Sequence, residues 1–350
     1  MKLHQERFAN RIMKKMKLMS VIILFVLLLA TPAEAQKQEG QRAFSLSELN
    51  IRDPYILADP STRTYYLYAS QSTSGKDGKE RGGVVTYTSK DLKQWTGPVS
   101  VFTVPENNWI TGGVWAPEVH AYKGQYYLFA TLNSDIEWKK SLPGQVKYTF
   151  RGTQIFHARS PKGPFLPFEM LPHTPMDWMA LDGTLWVENG QPYMVFCHEW
   201  VQVGDGTMNV VKLAPDLSKP VSEPLTLFCG SAPEWSTGSE GAVKTYVTDG
   251  CFLHRSRSGK LLMIWSSFKQ GQYTTGIAES VTGKVTGPWK QQREPLFSGN
   301  GGHGMLFKTF DGRLCLVLHA PNSPAGKERP HIYEIEDMGY TLRIKQSIIM

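Results

Sequence analysis

From residue 50 onward the chain repeats one pattern: a polar residue, a short apolar run, a turn rich in Gly, Asp, Asn or Lys, and a second apolar run. NIRDPYILADPSTRTYYLYAS (50–70) is the first instance. The pattern returns as WAPEVHAYKGQYYLFAT from Trp115, ALDGTLWVENGQPYMVF from Ala180, TDGCFLHRSRSGKLLMIWSS from Thr248 and GGHGMLFKTFDGRLCLVLH from Gly301. Short aromatic and β-branched runs bounded by turn residues predict antiparallel hairpins. Pro54 is tolerated where a strand begins, which places Asp53 at a strand entrance. The polar openers Asp53, Glu118, Asp182, Asp249 and His303 stand at intervals of 65, 64, 67 and 54 residues. Near-equal spacing predicts copies of one supersecondary unit. Four short strands per copy, arranged radially, give an all-β, five-bladed β-propeller whose openers converge on the axis.

The remaining strands complete the blades. RGGVVTYTS and the stretch around Trp95 finish the first, which runs from Asp53 to about Ser100, with Trp95 expected to cover a blade edge. The second ends near Phe168, the third spans about 182–230, the fourth 249–292, and the fifth runs from Gly301 to near the C-terminus. Residues 36–49 read as a polar lead-in, and 231–248 is long enough to shape the rim of a central site. The 32 Gly, 22 Pro and 11% aromatic residues fit many short strands and tight turns.

Lys14, Lys15 and Lys17, an apolar run from Val21 to Ala30 and a Thr31-Pro-Ala-Glu-Ala35 ending predict a secretory signal peptide over residues 1–35, with an uncleaved anchor the alternative. Residues 36–350 then make one catalytic domain, periplasmic or secreted, with no membrane attachment after cleavage. The formal net charge of +7 is misleading, because six Lys/Arg against Glu6 and Glu34 lie in the signal. No basic cluster with interleaved aromatics suggests a nucleic-acid partner. Cys197, Cys229, Cys251 and Cys315 sit in apolar strand-like runs and read as buried free thiols, with a disulfide the alternative in an exported protein.

One Asp at a strand start commonly caps a turn. Three in register across blades, Asp53, Asp182 and Asp249, instead meet on one axis, where like charges shift one another's pKa. Separated acid and base carboxylates are what hydrolysis of a glycosidic bond requires. Trp115, Trp138, Trp178, Trp186 and Trp200 offer faces for sugar rings.

Asp53-Pro54 in RDPYI, Trp115-Ala-Pro-Glu118, Leu181-Asp182-Gly183, Asp249-Gly250 and Gly302-His303-Gly304 together resemble the blade openers of glycoside hydrolase family 43, over essentially the whole mature chain. The resemblance implies a five-bladed propeller that inverts anomeric configuration. It implies that Asp53 is the general base, Asp182 the carboxylate that tunes and orients the acid, and the blade-four opener Asp249 the general acid. The family usually shows Glu-Gly-Pro at blade four, whereas this chain has Asp249-Gly250-Cys251. Asp reaches one methylene less far, so Glu240 and Glu234 are alternative acids, Glu240 otherwise shaping the substrate-binding rim. Glu118, Trp115 and Trp186 are expected as substrate contacts or supporting groups.

His303 resembles the family's blade-five histidine near a calcium or water cluster, which makes a structural Ca²⁺ an expectation. His198, Glu199 and His319 read first as structural hydrogen-bonding residues, with a place facing the cavity the alternative. The function expected is a monomeric exo-glycosidase on plant polysaccharide side chains, α-L-arabinofuranosidase first. A β-xylosidase, an endo-arabinanase, a galactan-directed enzyme and a non-catalytic carbohydrate-binding propeller are the alternatives.

Overall fold

The computed structural model describes residues 42–140, 146–239 and 243–348. The signal peptide expected over 1–35 and Glu240 lie outside the described residues. Among the described residues twenty-one strands are assigned. Blade one holds β1 (Ala43–Phe44), β2 (Tyr55–Asp59), β3 (Thr64–Ser74), β4 (Glu80–Ser89) and β5 (Trp95–Thr103). Blade two holds β6 (Gly113–Tyr122), β7 (Gln125–Lys139), β8 (Tyr148–Ala158) and β9 (Leu166–Pro167). Blade three holds β10 (Ala180–Glu188), β11 (Gln191–His198), β12 (Thr207–Lys212) and β13 (Leu225–Cys229). Blade four holds β14 (Asp249–Arg255), β15 (Leu261–Lys269), β16 (Gln272–Ser280) and β17 (Trp289–Gln291), and blade five β18 (Gly302–Lys308), β19 (Leu314–Ala320), β20 (Arg329–Asp337) and β21 (Leu342–Ser347).

Each blade is an antiparallel sheet in chain order from the inside out, except that β1 lies outermost in blade one, beyond β5. The inner strands β2, β6, β10, β14 and β18 neighbour one another around a closed ring. The second strand of each blade carries an almost unbroken buried run, as in Tyr65–Ala69, Tyr127–Leu132, Met194–His198, Leu261–Ser267 and Cys315–Ala320. Such strands are covered on both faces by neighbouring blades, which is why the sequence shows continuous apolar runs there. The core is accordingly split into layers between blades: one cluster spans blades five, one and two, and others join two to three, three to four, and four to five.

The lead-in departs from expectation. Ala43 and Phe44 pair with Thr96 and Trp95 at the outer edge of blade one. A 3₁₀ turn over Leu46–Glu48 follows, tied by the Ser45 N–H donating to Glu48 at 2.8 Å. Leu46, Leu49 and Ile51 are buried. Their spacing fits neither a strand nor a helix period, so the pattern alone reads as polar. Trp95 is fully buried rather than covering an edge, its indole N–H donating to the Leu92 carbonyl. The ring closes between blades five and one through side chains. Tyr65 lies 4.3 Å from Phe310, centroid to centroid, and accepts the Phe310 N–H, while Arg329 donates to the Ser47 carbonyl. The four cysteines are free, and Cys197, Cys251 and Cys315 are buried.

Candidate active site

The five strand entrances share one backbone device. Asp53, Ala116, Asp182, Gly250 and His303 all take left-handed φ values, between 42° and 58°. In blades two to five the ladder breaks at that point, between Trp115 and Glu118, Leu181 and Thr184, Asp249 and Phe252, and Gly302 and Met305. A bulge re-aims side chains out of the pleat, and a left-handed non-glycine residue is held only where surrounding structure enforces it. Here the device turns the entrance side chains toward the axis. It also corrects the register of the openers: Asp249 precedes the left-handed residue of its blade, and Glu118 follows that of its own by two.

That offset explains where Glu118 goes. It resumes the ladder opposite Phe129, is buried, and lies 2.8 Å from Nε2 of His120, whose Nδ1 meets the Tyr55 hydroxyl at 3.2 Å. It does not line the central cavity.

The cavity, about 370 Å³, is walled by Arg52, Asp53, Trp115, Leu181, Asp182, Glu199, Trp200, Val247, Asp249, Phe268, Tyr273 and His303. Asp53 Oδ1 lies 3.2 Å from His303 Nδ1, 3.3 Å from His319 Nδ1 and 3.8 Å from Arg52 Nε. Burial alone would push this carboxyl up. The His303 ring, His319 and the Arg52 guanidinium outweigh burial and hold it well below the usual carboxylate range. Arg52 is itself fixed by Asn322 and Glu328 of blade five.

Asp182 accepts the Gly250 N–H on Oδ2 at 2.9 Å, and its own N–H donates to Thr131 Oγ1 at 2.9 Å. Burial and the neighbouring Asp53 charge push it well above the usual range. Asp249 accepts the Tyr273 hydroxyl on Oδ2 at 3.0 Å. Burial and Asp182 push it up to about 7, against the opposing pull of His303 and Tyr273. Burial thus biases both Asp182 and Asp249 toward the protonated form, Asp249 up to about 7. One carboxylate is kept ionised while another keeps its proton, the division of labour that general base and general acid require.

Glu199 follows β11, its N–H donating to the Met179 carbonyl. Its Oε2 accepts from Arg151 at 2.6 Å, and the Arg151 guanidinium lies 4.9 Å from the Trp115 ring centroid. Burial pushes Glu199 up to about 7, with Arg151 pulling the other way. Glu199, for which a place on the cavity was the alternative to a structural role, forms part of the wall. Val247 comes from the 231–248 segment expected to shape the rim, whereas Arg52, Phe268 and Tyr273 were not anticipated. Arg52 adjoins an opener, but nothing local marks the other two, which arrive from second and third strands.

Other expected residues lie elsewhere. Trp186 carries Arg255 over its ring at 5.4 Å, Trp178 stacks on His198 at 4.1 Å, and Trp138 packs edge-on against Tyr148 on the β7–β8 hairpin. Glu234 is exposed beside Trp289 and Tyr340. Around His303 the donors are His319, Asp53 and Asp182, short of the six to eight oxygens calcium takes. No group of three or more His, Cys, Asp or Glu among the described residues is disposed to hold a metal ion.

The family model for glycosyl hydrolases family 43 matches residues 46–340. The chain belongs to that family. It is therefore a glycoside hydrolase of a family that inverts configuration, acting on a saccharide. It is 39% identical to a Bacteroides thetaiotaomicron structure named an endo-arabinase, with a TM-score of 0.72 over 84% of this chain and 96% of that one. It is 24% identical to the extracellular exo-alpha-(1->5)-L-arabinofuranosidase of Cellvibrio japonicus, over 79% of this chain and 81% of that protein. An alpha-L-arabinofuranosidase from Lactobacillus brevis, 16% identical, shares the fold at a TM-score of 0.65, covering 85% of this chain and 96% of that one.

Proposed function

We propose that this chain is an exported, monomeric α-L-arabinofuranosidase that removes terminal residues from arabinan-type side chains, with Asp53 as base, Asp249 as acid and Asp182 coupled to the acid. The observation that carries the reading is the meeting of Asp53, Asp182 and Asp249 in one small cavity, with His303 and His319 on Asp53 and Tyr273 on Asp249. Asp53 activates water. Asp249 protonates the departing oxygen. At about 370 Å³ the cavity sits at the small end of the roughly 300–1,000 Å³ of ligand pockets, which suits one terminal sugar. Export rests on the N-terminal sequence pattern and on the extracellular relative.

The endo-arabinase name of the 39% identical neighbour favours a second reading, cleavage within the chain. Digestion of linear α-1,5-arabinan with early sampling separates the two. Arabinose alone from the first time point is expected, formed as the inverted anomer in proton NMR. Early oligosaccharides would establish internal cleavage. Retention would remove the water-activating role of Asp53. An aryl α-L-arabinofuranoside should be cleaved and an aryl β-xyloside spared, and activity on neither would leave the carbohydrate-binding reading. A structural Ca²⁺ near His303 is a separate proposal; a melting temperature lowered by EDTA would support it, and an unchanged curve would remove it.

A further inference from the structure

Cys251 is buried between blades three and four, one residue after the left-handed Gly250. The ladder of blade four skips it: Asp249 pairs with Ser266, and pairing resumes only at Phe252. Its side chain reaches blade three instead. The thiol donates to the Asp182 carbonyl at 3.3 Å and to the Val195 carbonyl at 3.5 Å. Asp182 needs such support. It is a non-glycine residue at φ 58°, and the β10–β11 ladder passes from Leu181 to Thr184 without it. A left-handed residue of this kind persists only where its surroundings over-determine it. Thr131 of blade two holds its N–H, and Gly250 of blade four holds its carboxylate. The thiol holds the remaining polar group, the carbonyl.

We infer that Cys251 is a positioning residue for the reaction: its S–H bond to the Asp182 backbone fixes where that carboxylate stands relative to Asp53 and Asp249. Without the donor, the peptide after Asp182 is free to turn toward an ordinary conformation, and the carboxylate carried by the same Cα moves with it. A thiol is a weak donor, so the bond itself is worth little. A small displacement at reacting groups costs far more than the bond. Burial pushes the Cys251 thiol above its ordinary range, against the pull of Cys197, so it remains a donor at neutral pH. Cys251 also packs in the apolar layer between blades three and four, beside Val195 and Leu253. Packing alone would be served by any small apolar side chain; two carbonyls facing the sulfur call for a proton. The inference rests on the reading that places Asp182 in the catalytic machinery.

The test compares Cys251→Ala with Cys251→Ser in the full chain, each assayed well below its melting temperature. Both substitutions give up the volume of the sulfur, so both should melt earlier than wild type. Only serine keeps a donor. On an aryl α-L-arabinofuranoside, kcat of Cys251→Ala is expected to fall about tenfold or more with KM within about twofold of wild type. Cys251→Ser should recover kcat to within about threefold of wild type. The bond is also read without turnover and without the alanine variant. The S–H stretching band, isolated as the infrared difference between wild type and Cys251→Ser, should lie below that of a thiol with no acceptor. Equal losses in the two variants would reduce Cys251 to packing and overturn the inference. So would an alanine variant within about twofold of wild type, a loss carried by KM alone, or a band at the free-thiol position. Each of these leaves the functional reading standing, whereas a wild type that cleaves no glycoside overturns both.

Discussion

Burial and Asp182 push Asp249 up to about 7, the protonated state that its proposed role as acid needs. Asp249→Ala should lower hydrolysis of natural linkages by about 10²–10⁴-fold while largely sparing a dinitrophenyl arabinoside, which leaves without a proton. Asp53→Ala should abolish both, because water must be activated whatever departs. A poor leaving group reports the acid's titration directly. With Asp249 pushed up to about 7, kcat/KM should fall as pH rises through that value. The Tyr273 hydroxyl donates to the ionised carboxylate and so favours ionisation. Tyr273→Phe should therefore move the alkaline limb to higher pH, and a limb that stays in place would dissociate it from Asp249. Asp53, held below the usual carboxylate range, sets no limb in the neutral region.

At the scale of the element, the strand entrance with its left-handed residue positions the chemistry. Gly250 illustrates how little room it has. At φ 52°, a Cβ there would lie 2.7 Å from both Cα and Cγ of His303, and the Gly250 N–H donates to Asp182. Gly250→Ala must displace the backbone of either blade four or blade five, and with it the His303–Asp53 and Gly250–Asp182 contacts. A shift near 1 Å at reacting groups costs about 10²-fold, so kcat/KM should drop by that order, with the loss present on good and poor leaving groups alike. A loss confined to poor leaving groups would mean that only Asp249 had moved. The hairpins behind these entrances were legible in the sequence because each supplies its own apolar runs and turn residues. The bulges were not, since breaking a ladder by one or two residues leaves no compositional mark.

Across the whole molecule, ring closure depends on residues that looked like a leader. Leu49 is buried where the lead-in meets blade one, and Leu49→Ala should cost about 2–5 kcal/mol, seen as a lower denaturant midpoint at unchanged slope. The site in turn costs the fold stability. A carboxyl whose folded pKa is raised contributes full stability below its unfolded value and loses it as pH climbs through the folded one. For Asp249 that window runs from about 4 in the unfolded chain to about 7 in the folded protein. Asp249→Asn should therefore raise the melting temperature at about pH 8 and change it little at about pH 4. Equal effects at both would show that the buried charge is not what strains the site.

By itself the sequence determined the repeat, its five-fold count and the placing of Asp53, Asp182 and Asp249 at strand entrances. A blade draws its strands from one contiguous stretch, so local spacing records it. Only the tertiary structure decided that Glu118 lies beneath the cavity while Glu199, Tyr273 and Arg52 wall it. Those placements depend on bulge positions and on which blades meet across the axis, as in the Arg151–Glu199 pair between blades two and three and the Tyr273–Asp249 bond within blade four. The protonation of the three aspartates was decided there too. Identical side chains diverge because His303, His319 and Arg52 together outweigh burial at Asp53, whereas burial and a neighbouring aspartate dominate at Asp182 and Asp249.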